Sequence, residues 1–469
     1  MKKAKVVLYP VIGVSHMIPM IQLAKSLINH NISIDIAVLN PPTMPVATSK
    51  LISKVSSTNP QISFTLLPVM LPSSNPSPTP FESLINLIRS NNIKLQSYLQ
   101  YQMETSSIAA LVMDFFCADA LDVAHELGIP TYIFFPTGAN NLAVFLHLPE
   151  LASTWDRTKE NVGKTPIVIN GVPLIHASDL PREVLEISKD HELFINVFRR
   201  MRDANGILMN TFESLESRAV KTIKDGVSFP TGPAPPIYCI GPLVTAPDKG
   251  VTHPCLRWLD TQPKKSVVYV SFGSSGKFSI EKLREIAFGI EKSGHKFLWV
   301  VRNPPNDDPK EHYDPLAEPD LDALLPEGFL DRTKEQGIVV KSWAPQVEIL
   351  NHDSIGGFVS HCGWSSILEA VINGVPVICW PLFAEQRMNR VFIVEEMKIG
   401  VELKGCDEGL VSRDELTEKV RWLMESEGGQ ELRNNVNAHR INGLEALREG
   451  GTSETAFLEF KENLKLQNA

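Results

Sequence analysis

Residues 355–381 read IGGFVSHCGWSSILEAVINGVPVICWP. The segment opens on one continuously apolar run, IGGFVSH, and closes on another, VPVICWP, with the helical pattern SSILEAVIN between them. Short apolar runs that do not alternate with polar residues suit strands covered on both faces, and two such strands joined by a helix form a parallel pair. The same rhythm fills the chain. Further strands are expected at 266–272 (SVVYVSF), 295–301 (HKFLWVV) and 337–343 (GIVVKSW), with IEKLREIAFGIEKS as a helix among them. Ahead of them lie AKVVLYP (4–10), SIDIAVL (33–39), ISFTLLP (62–68), IAALVMD (108–114), PTYIFFP (130–136) and GILMNTF (206–212). The expected fold class is α/β, with doubly wound parallel sheets.

The two runs of strands are separated by Phe229 to Pro254, FPTGPAPPIYCIGPLVTAPDKGVTHP, a proline-dense connector in which IYCIGPL is a candidate last strand of the first half. This places one Rossmann-like domain at residues 1–245 and a second at 246–452. Open sheets bind ligands at their strand carboxyl ends, so a cleft between the two domains is the expected site. Residues 303–335, acidic and proline-rich, read as a long exposed loop.

The length of 469 residues and an apolar content of 43% exclude a disordered chain. A net charge of -9 argues against nucleic acid or an anionic membrane surface as partner. The start, MKKAKVVLYPVIGV, has the basic and apolar parts of a secretory signal but no small-residue cleavage site, and reads as a buried strand, Lys5 to Tyr9. No apolar run reaches the ~18 residues of a membrane span. Six cysteines without CxxC spacing read as reduced, buried thiols of a cytoplasmic protein.

Several familiar signatures fail. No GxGxxG follows either opening strand, and GSSGK at Gly273–Lys277 is too short for a P-loop, with Phe278 where a metal-binding hydroxyl belongs. Asp320 and Asp322 form a DxD inside the acidic stretch, away from any strand end, and read as solvated charge. His361 and Cys362 are adjacent, so on an extended segment they face opposite sides and make no nucleophile pair.

A denser constellation runs from Trp343 to Gln386, WAPQVEILNHDSIGGFVSHCGWSSILEAVINGVPVICWPLFAEQ. Trp343, at a strand end, offers a flat face for a base, and backbone groups near Ala344 are placed to read the base edge. Gln346 starts a short helix, and Glu369, one turn into the next, is suited to accept from ribose hydroxyls. His361 ends a strand, and Gly363–Ser366 opens the helix containing LEAVIN, whose unpaired N–H groups suit a diphosphate. Ser274, in the turn after SVVYVSF, points to the same phosphates. His352 reads as structural.

This stretch closely resembles the signature of plant family 1 UDP-dependent glycosyltransferases. WAPQ, HCGW, LE, GVP, WP and EQ all fall in register, and the likeness extends over essentially the whole chain. The resemblance implies the GT-B fold, with a C-terminal helix at about 453–469 that packs back on the first domain. It implies the donor roles above, and adds Trp364, Glu385 and Gln386 as residues holding the hexose. One position departs from the family: Ser365 stands where Asn is usual, which puts its ligand role in doubt. Trp364 with no arginine favours a neutral hexose, and Gln386 favours glucose.

Two more residues complete the chemistry. His16 is read in a turn feeding a Met17–His30 helix, and a histidine near its ordinary pKa of about 6.5 accepts a proton at cytosolic pH. Asp114 closes strand IAALVMD, where it is suited to bond the other ring nitrogen. The family gives these positions the roles of base and orienting acid. The implied reaction is an inverting displacement at the anomeric carbon, metal-independent and without cofactor, with UDP-glucose as co-substrate. Phe115 and Phe116, with Phe134, Phe135 and Phe145, are candidates for an apolar pocket for a flavonoid- or chalcone-like phenol, and Thr137 for a contact to the sugar. The competing readings are a terpenoid or hormone acceptor, C-glycosylation, a non-catalytic nucleotide-sugar sensor and a sugar-nucleotide epimerase. The expected protein is a monomer.

Overall fold

Parallel strands buried on both faces need helices above and below, and this requirement shapes both halves of the chain. The structure, a computed structural model, describes residues 4–42, 44–70, 79–155, 162–186, 188–227, 234–248, 250–305, 318–409 and 411–466. Within these the chain divides into two compact units, Met1–Val244 with Glu445–Ala469, and Thr245–Leu444.

The first unit holds seven parallel strands: β1 (Ala4–Tyr9), β2 (Ser33–Asn40), β3 (Ser63–Pro68), β4 (Ser107–Asp114), β5 (Thr131–Phe135), β6 (Gly206–Met209) and β7 (Ile237–Cys239). Their spatial order is β3-β2-β1-β4-β5-β6-β7. Because side chains alternate across a strand, β5 sends Tyr132 and Phe134 into a core shared with Val6, Leu8 and the Val14–Asn29 helix. Phe135 points to the other face, edge-on to Phe115. The last helix, Thr452–Leu466, closes the first of these faces: Phe457, Phe460 and Leu464 enter its core, and Asn463 Nδ2 donates to the Tyr238 hydroxyl at 2.7 Å. Residues 467–469 of the tail expected to pack back lie outside the described residues.

The second unit holds six parallel strands: β8 (Val267–Ser271), β9 (Lys296–Val301), β10 (Gly337–Lys341), β11 (Ile355–Ser360), β12 (Val377–Cys379) and β13 (Gly400–Glu402), in the order β10-β9-β8-β11-β12-β13. Residues 355–381 form the strand–helix–strand unit read from the sequence. The helix is Trp364–Asn373, and Gly374 ends it at φ 67°, a left-handed value that glycine tolerates.

Three expectations change. His16 lies inside the first turn of the Val14–Asn29 helix rather than in a turn before it. The acidic stretch is not a bare loop where described: Leu321, Leu324, Leu325 and Phe329 are buried in the second core, and Asp320 caps a short helix, accepting from Asp322 N–H and Ala323 N–H. Residues 306–317 of that stretch, and 228–233 and 249 of the connector, lie outside the described residues. Strand β13 is a sixth member that short length hid from sequence reading. All six cysteines are free and buried. Among the described residues no helix is long and apolar enough to cross a membrane.

Candidate active site

In the first unit the parallel register sets Tyr9 level with Met113, so β1 and β4 end together at their carboxyl edges. The helix after β1 begins at once, because Gly13 takes φ 138°, which other residues adopt at a cost. That early start brings His16 Nδ1 to 2.8 Å from Asp114 Oδ2. Asp114 is wholly buried, whereas the His16 side chain keeps 22% exposure. A buried carboxylate is costly unless its oxygens are satisfied. Here Oδ2 meets the imidazole while Oδ1 accepts the Phe116 N–H at 3.0 Å, so one side chain fixes both the ring and the backbone beyond the strand.

The His16 ring lies 6.0 Å from the Phe115 ring and 5.5 Å from the Phe116 ring. Behind them the aromatic set differs from the expected one. Phe134 belongs to the opposite face of the sheet and cannot line this wall. Phe135 and Phe145 are buried beneath it. One residue missed in the sequence takes their place: Phe81 stands 5.5 Å from Phe116 in an edge arrangement, backed by buried Phe194 at 5.9 Å. Phe81 and Phe116 are half-buried and present the accessible apolar surface. The helices carrying Phe81 and Phe194 are tied together by the Glu82–Lys189 ion pair and by Thr79 donating to Asp190 at 2.7 Å. Thr137 is buried and accepts from Asn141 Nδ2 at 3.0 Å. Its neighbouring helix, Ala139–Thr154, is anchored by buried Glu216, whose oxygens accept from Ala139 N–H at 2.8 Å and Asn140 N–H at 2.9 Å.

In the second unit the predicted donor residues gather along the carboxyl edge of the sheet. Trp343 is 60% exposed, an unusual state for tryptophan, and lies edge-on to His253. Ala344 beside it is buried. Gln346, opening the Gln346–Leu350 helix, donates from Nε2 to Ser366 Oγ at 2.9 Å and to Glu369 Oε2 at 2.8 Å. Three residues assigned separately from the sequence are thus one hydrogen-bonded group. Burial pushes the Glu369 carboxyl up to about 7, with Glu348 adding like charge and Gln346 opposing both.

His361 follows β11, and burial lowers its pKa to about 4, so the ring is neutral and offers an N–H rather than a cation. Its Nδ1 is buried with no hydrogen-bond partner among the described residues. A side chain on Gly273 would fall 2.6 Å from His361 Nε2, so only glycine lets this turn approach the ring. Arg302 Nε holds that turn by donating to Gly273 O at 3.1 Å. Ser274 is exposed just beyond. Gly363 precedes the Trp364–Asn373 helix and supplies no side-chain cap to its first turn. Ser365 is half-buried there, and Trp364 and Ser366 are buried. Cys362 takes φ 65° and its Sγ turns to Ser360 O, whereas the His361 ring lies against Gly273 and Gly363. Gln386 Oε1 accepts from Leu382 N–H at 2.9 Å and Phe383 N–H at 3.1 Å, which shapes the loop carrying half-buried Glu385. His352 bonds Ser354 Oγ and Asp260 Oδ1 and remains structural.

Comparison with known proteins identifies the family. The family model described as UDP-glucoronosyl and UDP-glucosyl transferase matches residues 201–428. Anthocyanidin 5,3-O-glucosyltransferase of a Rosa hybrid cultivar is 43% identical, with 96% of each chain covered. Isoflavone 7-O-glucosyltransferase 1 of Glycine max is 40% identical, covering 97% of this chain and 98% of its own. Among solved structures, UGT2 of Phytolacca americana, complexed with UDP-2fluoro-glucose and pterostilbene, superposes with a TM-score of 0.85 at 32% identity, covering 98% of this chain and 100% of that one. With two parallel α/β sheets in the GT-B manner and such identity along nearly its whole length, the chain belongs to the plant UDP-glycosyltransferases and is an enzyme of that family.

Proposed function

We propose that the enzyme transfers glucose from UDP-glucose to a hydroxyl of a small lipophilic phenol, with inversion and without a metal. The observation that carries this reading is the His16–Asp114 pair, 2.8 Å apart beside half-exposed aromatic rings. Asp114 accepts the Nδ1 proton, so the basic nitrogen of the neutral ring is Nε2. A phenol laid against Phe116 and Phe81 gives its proton to that nitrogen as its oxygen attacks the anomeric carbon. The resulting imidazolium is stabilised by the buried carboxylate.

On the donor side, Trp343 stacks the uracil, Ala344 reads its edge and Glu369 with Gln346 receives the ribose. The neutral His361, Ser274, Ser366 and the open first turn of the Trp364–Asn373 helix meet the diphosphate as it departs, with donors fixed in advance of the charge they stabilise. Ser365 has a shorter reach here than the family's usual amide. Trp364, Glu385 and Gln386 hold the hexose. The glucose and phenol assignments are supported by the relatives named above, two of which are titled as glucosyltransferases of anthocyanidin and isoflavone.

The test is a mass-spectrometric acceptor screen with UDP-glucose, followed by linkage analysis. Acid-labile β-O-glucosides of flavonoid- or chalcone-type phenols are expected. Acid-stable C-linked products, or transfer confined to terpenoid alcohols, would overturn the acceptor reading.

A further inference from the structure

Behind Gln346 and Glu369, the proposed ribose-binding pair, lies a buried strand residue. Tyr269 is in the middle of β8, fully buried, and its register partner across the sheet is Phe358 of β11. The paired rings stack 5.0 Å apart at 18°, which fixes the tyrosine in one rotamer. Its hydroxyl reaches Gln346 Oε1 at 3.4 Å.

With Glu369 ionised, the Gln346 amide has one favoured orientation. Its two N–H bonds go to Ser366 Oγ and Glu369 Oε2. A flipped amide would set its oxygen against the carboxylate that now accepts from it. The carbonyl oxygen therefore faces back towards β8, where the Tyr269 hydroxyl is its hydrogen-bond donor among the described residues. The bond is long, and it ends on a group whose orientation decides how two proposed ligand residues are held.

We propose that Tyr269 is a positioning residue of the donor site, acting through Gln346 to hold Glu369 and Ser366 in the arrangement that receives the nucleotide sugar. This rests on Glu369 being a donor ligand. The route runs from a cross-strand ring pair to an amide, and from the amide to a carboxylate and a hydroxyl. The charged and titratable groups facing Glu369 are Glu348 on the Gln346–Leu350 helix and Tyr269 on β8; both are acids, so the Gln346 N–H is the contact that favours its ionised form. If the amide is freed, that support weakens and Glu369 ionises at higher pH.

The experiment is calorimetric binding of UDP-glucose, without acceptor, to the full chain and to Tyr269→Phe, Gln346→Ala, Glu369→Ala and the Tyr269→Phe/Gln346→Ala pair. Phenylalanine keeps the ring stack, so the fold is retained. Tyr269→Phe is expected to weaken binding by about three- to tenfold, the worth of one hydrogen bond. It should shift the midpoint of the pH–affinity curve to the alkaline side and leave kcat at saturating donor within about twofold. In the Gln346→Ala background the same substitution should do nothing more. Unchanged affinity and midpoint, or an equal loss in both backgrounds, would overturn the proposal. A Glu369→Ala variant that binds as well as the parent would overturn the donor reading beneath it as well, which separates the two failures.

Discussion

A methyl group built on Gly363 would stand 2.5 Å from His361 Nε2, closer than real side chains approach a ring. Gly363 has an ordinary helical-entry backbone, φ -64°, so alanine is acceptable there in every respect except this collision. Gly363→Ala therefore acts as a displacement of His361. It should fold with a melting temperature lowered by only a few degrees and raise KM for UDP-glucose by about tenfold or more, at an overpacking cost of about 1–3 kcal/mol. Thermal melts beside donor-dependent kinetics check it, and an unchanged donor KM would remove His361 from the donor site.

The His16–Asp114 pair predicts a loss of turnover without a loss of donor binding. His16→Ala should lower kcat for a phenol by about 10²–10⁴-fold, the usual worth of a general base. Asp114→Asn keeps the side-chain acceptor for Phe116 N–H but cannot stabilise an imidazolium, so it should fall in the same direction. Calorimetry should give both variants the parental affinity for UDP-glucose. Turnover near the parental rate in His16→Ala refutes the base assignment.

Donor binding should depend on pH in one direction. The Glu369 carboxyl is raised to about 7, so it is mostly neutral below that value and mostly ionised above it. Ribose hydroxyls donate better to the anion, hence affinity for UDP-glucose should rise by about tenfold between about pH 6 and pH 8. Both phosphates of UDP-glucose are esterified and do not titrate in that window. His361, lowered to about 4, stays neutral throughout and adds no slope. Glu369→Gln should flatten the curve, and a slope that survives the substitution would assign the titration elsewhere.

Phe81 offers a test of the acceptor wall. It is half-buried against Phe116, the ring nearest His16, and its helix is tied down by Glu82 and Thr79. Phe81→Ala should reduce kcat/KM for flat aromatic acceptors by about tenfold or more, through lost ring contact. It should affect aliphatic alcohols of similar size much less and leave UDP-glucose affinity alone. Equal losses for both acceptor classes would show that the ring does not discriminate.

Most of the architecture was readable because buried parallel strands announce themselves as unbroken apolar runs, and because most candidate donor residues lie between Trp343 and Gln386. The failures have physical causes. Phe134 and Phe135 are adjacent aromatics in β5, and only the two-residue alternation of a strand separates the one in the core from the one behind the acceptor wall. Phe81 was missed because its helix, Pro80–Ser90, is far from the catalytic residues in sequence. The signal was there in Thr79, which caps that helix ahead of Pro80. Leu321, Leu324 and Phe329 were hidden by the acids between them, since composition averages over a window while burial is decided side chain by side chain. Tyr269 looked like any strand tyrosine until register paired it with Phe358.

The first unit takes part of its core from the far end of the polypeptide, through Phe457, Phe460 and Leu464. A chain emerging from the ribosome therefore makes the whole of its second unit while Tyr132 and Tyr238 still wait for the ring of Phe460. Without the Thr452–Leu466 helix the first unit would keep an exposed greasy face, the kind of surface that chaperones and proteases intercept.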